Sequence, residues 1–291
     1  MSIGPSETLR AGMDPSDDPG QSLLEMLQGI LKHPQLVSEA AAAEAQKKLD
    51  LVSGTEDPEA MILLLLEALE KDPNNVDVHL ALLEASALED AYHIPVLEAL
   101  KAIARHQLGE DLFTHHAGEF WFLSATRPYM RVCQELAQEF HYQQHFEEAA
   151  AQWKHMCQLD TRDHQGTRQR LLLVYLAMGK YAEADTLLES CSEAATGCAF
   201  SWGQCLQHLL RSDFSMASQA LKAARAQNPF MEDFIRGTCQ PPPELPAHHV
   251  IGSMEEAVMF VDDMLTAWNR HPEAVTWLQE QERAQPESSG A

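Results

Sequence analysis

Apolar side chains recur along this chain at three- and four-residue steps, the spacing that gathers them on one face of an α-helix. QSLLEMLQGILKH carries one such stripe and reads as a capping helix over residues 21–35. VDVHLALLEASALEDAYHIPVLEALKAIARHQ carries two and reads as a helical hairpin within degenerate repeats over 36–125. Beyond QPPPELPAHH, where Pro241, Pro242, Pro243 and Pro246 forbid a helix and predict an extended strap over 238–253, two more stripes predict a final helix pair over 254–284. Polar residues 1–20 and 285–291 read as a disordered leader and tail.

The central stretch repeats itself. RPYMRVCQELAQEFHYQQHFEEAAAQWKHMCQLD and HQGTRQRLLLVYLAMGKYAEADTLLESC align at an offset of 35: Leu136 falls on Leu171, Phe140 on Tyr175, Phe146 on Tyr181, Ala149 on Ala184 and Trp153 on Leu188. This order of large, aromatic and small positions resembles the tetratricopeptide repeat, a helix-turn-helix unit of about 34 residues. Its physical sense is packing. Leu136 and Phe140 share a stripe, Ala149 is small enough to let two helices approach, and Gly179 supplies the turn. A third unit has Phe214, Ala217, Leu221 and Ala224 in its second helix and closes at Pro229, as an upstream unit does at Pro73. Repeats of this kind fill 126–237. The fold class expected is all-α, a tetratricopeptide-like α-solenoid of stacked helical hairpins with degenerate flanking repeats.

Composition agrees. Leu, Ala, Glu and Gln dominate, while the β-branched residues that fill sheets are sparse. Acidic residues outnumber basic ones 44 to 20, and a net charge of -24 repels phosphate backbones and anionic membranes, which argues against nucleic acid as a partner. The longest apolar run, Met61 to Leu66, falls far short of the roughly 20 residues a membrane helix needs. Six scattered cysteines with no CxxC pair suit a reducing, cytoplasmic setting, and Cys198 and Cys205 read as buried small hydrophobes.

Several motifs lie outside the repeat pattern: TRPYMR (126–131), DHQGTR (163–168), AQNPFMEDFIRG (226–237), and GSMEEAV with AWNRHPEAVTWL downstream. On these, residues 117–279 resemble the suppressor-of-tumorigenicity-seven family and its soluble bacterial relatives. The resemblance implies a tetratricopeptide-like fold and carries over no reaction and no catalytic residue. Membrane segments of its eukaryotic members have no counterpart in this sequence.

Proteins with such repeats bind peptides along the first helix of each unit. That analogy assigns a groove to Arg127, Arg131, Gln134, Gln138, His141 and Tyr142, continuing through Arg168, Gln169, Leu173, Leu176 and Ala177. Arg127, Arg131 and Arg168 either converge on a ligand carboxylate or pair with internal carboxylates. The Lys and Asn of chaperone-type carboxylate clamps are replaced by Gln134 and Gln138, and Arg170 alone fits that phase. HHAGE (His115, His116, Glu119) and HYQQH (His141, His145) have i,i+4 pairs that suit a metal, but HYQQH straddles a predicted turn and HHAGE has no remote partner identifiable from the sequence. No nucleophile elbow or phosphate-cradling loop is present. The expected function is a non-catalytic adaptor that binds a peptide of another protein without a cofactor. A chaperone-like holder of a client and a helical metal-dependent enzyme are the alternatives.

Overall fold

A computed structural model describes residues 18–86, 88–191, 197–243, 246 and 248–281. Most of the expected leader, the expected tail and part of the Pro-rich strap lie outside the described residues. Among those described, fifteen α-helices and two 3₁₀ turns form the chain, with one isolated bridge and no strand. None of these helices is long and apolar enough to cross a membrane. The chain divides into two compact units, Met1–Arg162 and Asp163–Ala291.

The first unit opens with α1 (Pro19–Lys32), which begins inside the stretch expected as leader. Asp18 accepts the Gly20 amide at 2.9 Å and Pro19 occupies the first turn, so this start is capped. Hairpins follow: α2 (Glu39–Val52) with α3 (Pro58–Lys71), and α4 (Val76–Ala85) with α5 (Asp90–Leu108). Ser38, Asp57 and Asn75 cap α2, α3 and α4 with their side-chain oxygens. Ala45, Ile62, Leu65, Ala68, Val78 and Leu82 make the core of this end. Helix α1 lies along α5, with Gly20 so close to the Tyr92 ring that a Cβ there would stand 2.2 Å from it.

After α6 (Glu110–His115) the chain makes two 3₁₀ turns, Phe120–Phe122 and Ser124–Thr126. Of the aromatic cluster there only Phe120 is core, stacked on Phe113 at 4.9 Å, whereas Phe122 is exposed. Helices α7 (Arg127–Tyr142) and α8 (Phe146–Leu159) form the next hairpin, and α7 packs on both α5 and α4. Leu136, Ala149 and Trp153 are fully buried, and the small Ala149 lets the two helices approach closely.

The second unit begins at Asp163, whose carboxylate accepts the Thr167 and Arg168 amides and starts α9 (Thr167–Ala177). Gly179, at φ 71°, turns the chain into α10 (Tyr181–Ser190). Helices α11 (Cys198–Leu210) and α12 (Phe214–Gln227) form a second hairpin. Ala217, Leu221 and Ala224 are buried between them as expected, but Phe214 is exposed because it sits at the outer start of α12. Cys198 and Cys205 are fully buried, and burial pushes the Cys205 thiol up to about 12. A short α13 (Met231–Ile235) leads to the long α14 (Met254–Asn269) and then α15 (Pro272–Glu280). Helix α14 packs on α9 and α11 together, and α9 and α11 also touch one another.

Candidate functional site

The strip assigned to peptide binding meets different fates in the two units. On α7 the two arginines do not converge. Arg127 donates through Nε to the Trp121 carbonyl at 3.0 Å and lies over that indole. Arg131 grips Asp77 of α4 with two hydrogen bonds, at 2.9 and 2.5 Å. This bidentate pair settles the choice left open at Arg131 in favour of an internal carboxylate, and it ties α4 to α7. One turn on, Gln134 donates to Gln138 at 2.7 Å, and the Gln134 carbonyl oxygen has no hydrogen-bond partner. Tyr142 is exposed. His141 lies elsewhere, its ring 5.4 Å from Phe146 and 5.7 Å from Trp153, so it helps to close the α7/α8 hairpin.

On α9 the corresponding face is covered by the chain itself. Leu173, Leu176 and Ala177 are buried, Leu176 near Gly203 of α11, and α9 packs on both α11 and α14. Arg170 pairs with Asp263 of α14 at 2.5 Å and lies over Phe260. His271 donates through Nε2 to the Leu176 carbonyl at 2.9 Å, and Arg270 donates to that of Ala177. Gln169 is half-buried against Gly197. Arg168 gives its backbone amide to Asp163, and its charge partly offsets the burial that raises the Cys191 thiol.

A network within the second unit holds α14 in this place. The Glu256 carboxylate, almost fully buried, accepts the Cys198 amide at 2.9 Å, the Gly252 amide at 2.7 Å and the Asn228 side-chain amide at 3.0 Å. Asn228 also donates to the Ser253 carbonyl and accepts from the Phe230 amide, while its own carbonyl takes the Trp202 indole N–H. The Glu232 carboxylate receives Arg225 and Arg236, and Arg236 reaches on to the carbonyls of Gln279 and Gln281 past α15. The NPF and GSMEE motifs are therefore the two halves of one latch.

The first unit also contains a cleft that the sequence did not mark. It measures about 650 Å³, opens among α5, α7 and α8, and is lined by Lys101 and Arg105, by Tyr129, Leu136 and Phe140, and by Gln152 and His155. Lys101 donates to the Gln152 carbonyl oxygen at 2.5 Å. Tyr129 and the His155 Nε2 are 3.0 Å apart. Burial pushes the Tyr129 phenol well up, so it keeps its proton. Burial, with Lys101 and Arg105 adding to it, holds the imidazole below its ordinary value. Arg105 lies over the Phe113 ring and holds Glu110 in two hydrogen bonds. Lys101 and Arg105 stand one helical turn apart on α5, and that spacing was the one signal available in the sequence.

His115 is exposed and bonded to the Asp111 carbonyl, and among the described residues no group of three or more His, Cys, Asp or Glu side chains is placed to hold a metal ion. No family model, curated protein or solved structure matches the chain.

Proposed function

We propose that this chain is a non-catalytic binding protein, an adaptor of tetratricopeptide type that holds a peptide segment of a protein partner on its first unit. The likeness of its motifs to the suppressor-of-tumorigenicity-seven family belongs to the same proposal. The observation that carries the reading is the pairing of α4 and α7: these first helices of successive hairpins are locked side by side by Asp77 and Arg131, with Gln134, Gln138 and Tyr142 following along α7. Such a ledge offers the Gln138 amide N–H groups and one exposed aromatic ring to a backbone laid across it. The second unit is left out of this reading, because α14 packs on α9 there.

The test is capture of partners by the full chain from its native cell, with crosslinks mapped to residues. Contacts are expected on Gln134, Gln138 and Tyr142, with capture weakened about tenfold or more in the triple variant Gln134→Ala, Gln138→Ala, Tyr142→Ala. Crosslinks confined to the second unit, or undiminished capture by the folded triple variant, would sink the assignment.

A further inference from the structure

Lys101 is half-buried at the floor of the cleft among α5, α7 and α8, and its ammonium makes no ion pair among the described residues. That is unusual in a chain with 44 acidic residues and 20 basic ones. A cation drawn partly out of water normally takes a carboxylate, because an amide oxygen alone does not replace its hydration. Here the Gln152 amide oxygen holds Lys101 at 2.5 Å, and Gln152 itself is buried. The Gln152 NH₂ makes no full hydrogen bond and faces the Cys133 thiol.

Beside Lys101 on the cleft wall, Tyr129 and the His155 Nε2 are 3.0 Å apart. Burial, with Lys101 and Arg105 adding to it, keeps a second proton off His155, so no cation there competes with Lys101. Around these groups the walls are apolar, with Ala102, Phe140 and Ala151 among them. At the rim stand two exposed carboxylates, Glu98 and Glu148.

We propose that this cleft is a binding site for a monoanionic carboxylate attached to an apolar group, as in a small organic acid or at the C-terminus of a peptide, with Lys101 as its counter-ion. The ligand oxygens accept from Lys101, and the apolar group lies on Phe140. Gln152 positions the ammonium. A volume of about 650 Å³ is far more than a bare ion fills. A doubly charged phosphate would meet Glu98 and Glu148 on entry and be repelled, whereas one negative charge is balanced by Lys101. The site uses the face of α7 that carries Tyr129, Leu136 and Phe140, not the one that carries Gln134 and Gln138, so the two proposals stand or fall separately.

The experiment is a titration of the isotopically labelled full chain, followed by the His155 ring and Lys101 side-chain resonances. The probes are 3-phenylpropionate, the tripeptide acetyl-Ala-Ala-Phe with a free C-terminus, the same peptide amidated, and inorganic phosphate. Saturable shifts are expected with at least one of the two carboxylates, and which of them binds more tightly identifies the source. The amidated peptide is expected to bind at least about tenfold more weakly than the free one if the peptide is the source. Lys101→Met, which keeps the apolar stem, is expected to weaken carboxylate binding by about tenfold or more at unchanged melting temperature. The proposal is overturned by the wild-type protein alone if neither carboxylate shifts these resonances up to roughly 10 mM, or if phosphate binds as tightly as both. It is also overturned if a folded Lys101→Met chain binds as well as wild type.

Discussion

His79 is nearly inaccessible on α4, with Nε2 donating to the Pro73 carbonyl at 2.8 Å and Nδ1 left without a partner. Burial lowers its pKa below the ordinary 6.5, outweighing the pull of the Pro73 carbonyl and Asp72 the other way. In the unfolded chain the ring takes its proton near the ordinary value, so between that value and the folded one the unfolded state binds more protons. Stability should therefore fall as pH drops below about 6.5, and His155, lowered by burial as well, acts in the same direction. Denaturant unfolding of wild type and His79→Gln at pH 7.5 and 5.5, taken as roughly one unit either side of the titration, checks this. The variant is expected to be less stable at both and to show the shallower pH slope; an equal slope would mean that His79 does not titrate between the two states. Burial was legible in the sequence where size and spacing decided it: Ala149, Leu136 and Trp153 are all in the core. They were not legible where a long side chain chooses among partners. Arg131 lies on the expected helix, yet its partner Asp77 is 54 residues away, a distance no local pattern encodes.

At the scale of elements, the helices themselves were legible because each carries its stripe and its punctuation, such as Gly179 after α9 and Pro73 after α3. What the stripes do not say is which helices meet. Helix α14 is buried along much of its length, so its pattern was open to any apolar partner, and its packing across α9 and α11 is set instead by the latch of Asn228 and Glu256. One part of the latch follows a local rule, since Ser253 caps the Glu256 amide while the Glu256 carboxylate turns back to the Gly252 amide. Asn228→Ala removes the partner of the Phe230 amide and one of two partners each of the Ser253 carbonyl and of the Glu256 Oε2. A loss of about 1–3 kcal/mol is expected, the cost of a donor left unsatisfied together with two weakened acceptors. Urea unfolding followed by the fluorescence of Trp202 and Trp268, both within the second unit, measures it directly. Asn228→Asp, which keeps the acceptor but sets a charge beside Glu256, should cost at least as much; a variant as stable as wild type would remove the latch from the account.

For the molecule as a whole, charge is the dominant fact: -24 over 291 residues, with several cations already paired, Arg131 near the surface and Arg170, Arg225 and Arg236 in sheltered positions. The carboxylates left on the surface repel one another at the separations of a folded domain and much less in an expanded chain. Salt shortens the reach of that repulsion to about 8 Å at physiological ionic strength, but barely touches pairs as close and sheltered as Arg170 with Asp263. Screening therefore removes the unfavourable long-range part and spares the favourable short-range part. Thermal stability is expected to rise between roughly 10 and 300 mM sodium chloride, by a few degrees, with most of the gain below about 100 mM, where the screening length changes fastest. Sodium sulfate at equal ionic strength separates this from surface exclusion, because screening predicts equal gains for both salts at low concentration. A melting temperature that falls with added chloride would mean that exposed ion pairs such as Arg105 with Glu110 outweigh the net repulsion. The same charge bears on binding: a carboxylate approaching Lys101 crosses a negative field before it meets that ammonium. Added salt should thus speed its association more than it weakens the final contact, whereas a basic peptide on the α7 ledge would associate more slowly as salt rises.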